Sequence, residues 1–159
     1  MACLLLLVVV APQIVACDTA VEEEQAFQDA AFRAPSGFTA TSDRGDVLSD
    51  DPDDWRISPA YFERLVIDPA FPNPASAGTN VALPIRVRIS DTVQGGLELV
   101  SYDSNRIPRL LDRVADARSP GAYVLRFMPQ VLGVTGLVRI YVLDNAGGLI
   151  SYGDIMIES

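Results

Sequence analysis

The sequence contains no histidine, and its twelve basic residues are all arginine, so lysine is absent as well. Without an imidazole there is no Ser-His-Asp relay, no side chain that ordinarily titrates near neutrality, and none of the usual haem or zinc ligands. Cysteine is scarce: Cys3 and Cys17 are the two present, so a chain starting at residue 17 would hold one thiol and no disulfide. Long apolar runs are missing too. The main one, Leu4 to Ala11, falls well short of the roughly 20 residues that span a bilayer as a helix. No basic cluster stands out, so nucleic acid is not an expected partner.

The charge is unevenly placed. Asp18 to Asp54 holds eleven acidic residues against Arg33 and Arg44, a net of −9, whereas Trp55 to Ser159 holds ten acidic residues and ten arginines, a net of zero. The acidity belongs to one segment, and the rest is neutral.

Residues 1–16 read as an apolar leader, Leu4 to Ala11 matching the roughly 7–15-residue apolar core of an export signal. No Lys or Arg precedes that core. Ile14-Val15-Ala16-Cys17, followed by an abrupt switch to polar residues, resembles the lipobox of bacterial lipoproteins. The resemblance implies that residues 1–16 are removed and that Cys17 carries a covalent diacylglycerol and acyl lipid. It also implies a lipid-anchored protein of the bacterial cell envelope. Asp18 resembles the inner-membrane retention signal of enterobacterial lipoproteins, while Glu22-Glu23-Glu24 is similar to acidic surface-export signals of some Bacteroidota lipoproteins. The periplasmic face is favoured.

Residues 17–56 are rich in Asp, Glu, Ala, Ser, Thr and Pro. Too few aliphatic residues are present to offset the entropy of ordering, so a mostly disordered, acidic, flexible tether is expected. Within it, residues 22–33 have helical spacing, with acids early and Arg33 late as the helix dipole prefers. Such a helix is marginal alone. Phe27, Phe32, Phe38 and Trp55 are conspicuous in this polar setting and are the candidates for docking a partner. The acidic run from Asp43 to Asp54 departs from the calcium-loop spacing and lacks its terminal Glu, so solvated charge is expected there rather than a metal site.

From residue 57 to 159 the pattern is strand after strand. Asn80 to Ser90 alternates, with Val81, Leu83, Ile85, Val87 and Ile89 on one face. Pro84 cannot donate to a ladder, so the strand needs an unpaired side or a bulge there. Further strands are expected at 61–67, 97–103, 107–112, 122–128, 137–143 and 149–157, with turns at Gly95-Gly96, Ser104-Asn105 and Asp144 to Gly148. Seven short strands at this spacing predict an all-β, seven-stranded antiparallel sandwich. Tyr102, Tyr123, Tyr141 and Tyr152 read as core or cross-strand packing, with Tyr141 a candidate tyrosine corner.

The stretch from Gly136 to Glu158 resembles the last two strands of bacterial immunoglobulin-like domains. Phe71-Pro72-Asn73-Pro74 with Val81-Ala82-Leu83-Pro84-Ile85-Arg86-Val87 is similar to the start of flagellar hook-capping immunoglobulin-like domains and of type IX secretion sorting domains. The resemblance implies the fold and not the sorting role, since no basic tail follows the last strand. The acids of this region sit at turns, where Asp normally caps the chain, so no catalytic, cofactor-binding or metal site is expected. The function expected is a non-catalytic, lipid-anchored accessory subunit of an envelope membrane complex, respiratory or transport. The alternative is a surface module that binds glycan or protein.

Overall fold

The computed structural model describes residues 15–159, with side chains from Thr19 onward. The leader as far as Ile14 and the side chain of Cys17 lie outside the described residues. In chain order the elements are α1 (Val15–Ala31), β1 (Ala40–Thr41), β2 (Val47–Ser49), β3 (Arg56–Ile57), β4 (Leu65–Ile67) and β5 (Ala75–Ser76). There follow β6 (Val81–Val87), β7 (Leu97–Tyr102), β8 (Pro108–Val114), β9 (Gly121–Phe127), β10 (Gly136–Asp144) and β11 (Leu149–Glu158). Short 3-10 turns occur at Pro59–Tyr61 and Pro129–Leu132.

Two sheets form a β-sandwich-like body. The larger runs β3-β11-β10-β7-β8 with β5 beside β11; the smaller runs β4-β6-β9. Each of the seven expected stretches overlaps one strand, with β8, β9, β10 and β11 running one or two residues past the expected bounds. The described residues nevertheless hold eleven strands rather than seven, the additional β1, β2, β3 and β5 being only two or three residues long. The pairing is antiparallel except between β5 and β11, which are parallel. Asn73 accounts for that exception. Its side-chain amide donates to the carbonyls of Thr39 and Asp154 and its side-chain oxygen accepts from the Met156 amide, which lays the proline-rich corner alongside β11.

The inner faces follow the period of two. Val81, Leu83, Ile85 and Val87 of β6 are buried against Leu97, Leu99, Ile140, Val142, Ile155 and Ile157. Ile89, expected on the same face, is exposed because β6 ends at Val87. Pro84 is tolerated in this central strand because β4 ends at Ile67, opposite Ile85, just short of it. The Pro84 carbonyl still accepts from the Asp68 amide, and the donor it lacks would point where the neighbouring ladder has stopped. The β10–β11 turn is held by Asp144, whose Oδ1 accepts from the amides of Ala146 and Gly148, while Gly147 supplies the positive φ of +84°.

The acidic segment expected to be a flexible tether is folded onto this body. The helix runs Val15–Ala31 rather than 22–33, β1 and β2 pair with each other, and β3 joins the edge of the larger sheet. The physical reason is that the segment builds no core of its own. It lends a few large apolar groups to surfaces that the sandwich already presents.

Candidate functional site, the helix-covered sheet face

The outer face of the larger sheet is aromatic, and α1 lies on it. Phe27 and Ala31 of α1 are buried with Val100, Tyr141 and Tyr152 in a second apolar cluster, separate from the sandwich core. Tyr141 and Tyr152 are directly opposed across β10 and β11. Phe27 meets Tyr152 at 5.3 Å between ring centroids, Phe32 stacks on Tyr141 at 5.4 Å, and Tyr102 meets Tyr141 edge-on at 4.9 Å. Burying one phenylalanine side chain in this way stabilises by about 2–3 kcal/mol. That is enough to hold a helix whose propensity alone is marginal.

A polar clamp fixes the C-terminal end of the helix. The Nη1 of Arg139 on β10 donates to the carbonyls of Ala30, Ala31 and Arg33 at 3.0, 3.2 and 3.0 Å. The Tyr141 hydroxyl donates to the Ala31 carbonyl at 3.1 Å. The Ala30 carbonyl also accepts from the Arg33 amide in the turn that ends the helix, and a cation beside these last carbonyls complements the dipole. Arg33, expected to fill that role, lies beyond the helix end. Tyr141 serves as a helix cap rather than as a tyrosine corner. Arg139 is held in turn by Asp154, through Nε to Oδ1 and Nη2 to Oδ2, both at 2.7 Å, and its guanidinium stands 4.8 Å from the centre of the Tyr152 ring. The two side chains are 10% and 4% exposed. Burial disfavours the Arg139 charge, but the Asp154 hydrogen bond and charge outweigh it and hold the arginine above its ordinary pKa.

The middle of the helix is tied to the turn after β3. Glu24 Oε2 accepts from the Ser58 hydroxyl at 2.6 Å and from the Ala60 amide at 3.4 Å. Two shallow grooves flank this tie. One, of about 410 Å³, is lined by residues including Ala20, Val21, Pro59 and Ala60; the other, of about 580 Å³, includes Trp55, Ile57, Pro59 and Phe62.

The four aromatic candidates for docking a partner take different positions. Phe27 is buried under α1, and Trp55 is buried in the sandwich core against Gly153, where a Cβ would come within 2.2 Å of the indole. Both are therefore occupied internally. Phe32 is 46% exposed while stacked on Tyr141, with the Arg106 guanidinium 5.8 Å from its ring centre. Phe38 is half-buried. The contribution of Arg139 and Tyr141 to this face has no local signal in the sequence beyond their outward parity in a strand.

The acidic run is divided by the fold. Asp43 and Asp46 lie on the β1–β2 hairpin, with Asp46 accepting from the Ser42 hydroxyl. Asp54 is drawn inward. Its Oδ2 accepts from the Thr39 amide at 2.8 Å and its Oδ1 from the Asp154 amide at 2.6 Å, tying the segment to β11. Burial pushes the Asp54 carboxyl up to about 7 despite those two amides. Asp54 and Asp154 converge, yet Asp154 is engaged by Arg139 and Asp54 by backbone amides, and neither lines any of the grooves described. Their arrangement serves attachment of one segment to another. Among the described residues no three His, Cys, Asp or Glu side chains gather to hold a metal, and no helix is long and apolar enough to cross a membrane.

Compared with protein-family models, curated proteins and solved structures, the chain matches none.

Proposed function

We propose that this chain is a non-catalytic, lipid-anchored accessory subunit of a bacterial envelope membrane complex. An immunoglobulin-like β-sandwich is carried at the membrane by a lipidated Cys17, on the periplasmic face. The observation that carries the reading is α1. The helix that contains residue 17 is the same helix that is clamped on the sandwich by Phe27, Arg139 and Tyr141. Ten residues of helix separate Cys17 from Phe27, about 15 Å. A lipid at Cys17 would thus hold the sandwich as one body close to the membrane instead of on a long leash. Such a body fits a subunit docked at a fixed height beside a membrane protein better than one that searches for distant partners.

Mild detergent extraction followed by native electrophoresis, with the mass of the Cys17 peptide measured in parallel, tests this. Co-migration with a larger assembly and a lipid-bearing Cys17 are the expected results. An unmodified Cys17, or migration only as the free chain, rules the proposal out. The second reading is a surface module binding glycan or protein. It draws on the half-exposed Phe32 beside Tyr102, and requires that protease added to intact cells cleave the chain.

A further inference from the structure

We propose that the apolar rim formed by Val21 of α1 with Pro59, Ala60 and Phe62 is a contact surface for the lipid bilayer. This rests on the anchor at Cys17 proposed above, and adds a second point of attachment to it. Val21 and Phe62 are each 67% exposed. They belong to one continuous rim. Val21 and Ala60 border one groove, Phe62 borders the next, and Pro59 borders both. The rim is also rigid. Glu24 ties the helix to Ser58 and Ala60, and Phe62 closes the 3-10 turn just before Glu63, whose φ is +62°. Presenting such groups on a fixed frame lowers the ordering cost of insertion.

The position of the chain indicates what covers the rim. The helix runs through residue 17, one turn and about 6 Å of axis before Val21. Acyl chains on Cys17 would bring the interfacial layer of the bilayer to within a helical turn of Val21. Apolar groups at that depth exchange water for lipid. Other exposed apolar side chains, such as Leu48 and Val134, border neither groove. Glu22, Glu23 and Glu63 flank the rim and are exposed, so the contact is apolar in character and is weakened by anionic headgroups.

The test uses the lipidated chain in phosphatidylcholine vesicles that contain doxyl-labelled lipid. Phe62→Cys carries an environment-sensitive fluorophore, and Val124→Cys, on the outer face of the smaller sheet, carries the same probe as control. Lipidation leaves Cys17 without a thiol and the leader takes Cys3 with it, so each label is unique. The expected result is about twofold quenching at position 62 and little at 124. Absence of quenching at 62 in vesicle-bound, lipidated protein overturns the contact and leaves the anchor standing. Equal quenching at 62 and 124 overturns it too, as does stronger quenching when phosphatidylglycerol is added, which would assign adsorption to charge. An unmodified Cys17 with no vesicle binding overturns the anchor and the contact together. Val21→Cys with the same label supplies the readout if Phe62→Cys fails to fold.

Discussion

The two outer faces of the sandwich meet different fates. On the larger sheet the outward positions include Val100, Tyr102, Tyr141 and Tyr152 beside the Arg139–Asp154 pair, and α1 lies over this face. On the smaller sheet the outward positions include Pro84 and Arg86 of β6 and Ala122, Val124 and Arg126 of β9, and most of these remain exposed. The larger sheet has register shifts at Leu99/Val100 and Val142/Leu143 and the smaller has none, but both are mainly antiparallel ladders. The side chains decide which face is covered. Rows of aromatic rings offer a broad apolar surface that a helix with one phenylalanine and one alanine can cover, whereas arginines keep their charged ends in water. Each face also has an Arg–Asp pair, and the settings differ: Arg139–Asp154 is 10% and 4% exposed at 2.7 Å, while Arg86–Asp68 is 58% and 48% exposed at 3.2 Å.

Substitutions can break that contrast, and the largest effect is expected at Arg139. Arg139→Ala leaves Asp154 buried without a partner and removes three hydrogen bonds from the helix end, a loss of about 3–5 kcal/mol by urea denaturation. Phe27→Ala should cost about 3 kcal/mol, and its effect is local. Hydrogen exchange should show α1 amides losing protection while those of β6 and β10 keep theirs; uniform loss across the molecule would mean that helix and sandwich unfold as one unit.

Asp54 sharpens the same comparison through pH. Its folded carboxyl titrates at about 7 against an ordinary 3.8, so the folded state binds the proton more tightly than the unfolded state. The stability it contributes is therefore present below about pH 4 and is lost as pH rises through 7. The decline should amount to a few kcal/mol at most. Denaturation midpoints measured from pH 4 to 8 should fall in the native chain relative to Asp54→Asn, and parallel curves would refute the assignment. The smallest effect is reserved for the open face, where Arg86→Ala should change stability by less than about 1 kcal/mol.

Much of the sandwich was legible because alternation has a direct physical cause. Val81, Leu83, Ile85 and Val87 repeat every second residue because one side of β6 faces the core, and Asp144-Asn145-Ala146-Gly147-Gly148 announces its turn through Asp capping and a glycine at positive φ. The covered face was less legible. Tyr102, Tyr141 and Tyr152 read correctly as packing residues, but nothing local says that the partner of Tyr152 is Phe27, more than a hundred positions away. Residues 17–56 are poor in aliphatics and so look unable to fold, a conclusion that holds only for a segment obliged to build its own core. Asp54 illustrates the limit most clearly. It sits in Asp50-Asp51-Pro52-Asp53-Asp54 beside chemically identical neighbours, and only the tertiary position of Thr39 and Asp154 sets it apart.

The clamp on α1 also determines how mechanical load would travel. Arg139 and Tyr141 both belong to β10, which is paired on one side with β11 and on the other with β7. Tension applied at residue 17 would pass along the helix, first to the Glu24 tie beside β3 and then to the clamp on an interior strand secured by two ladders. A chain tethered by its first residues and tugged by a moving neighbour would then resist at its most heavily bonded strand.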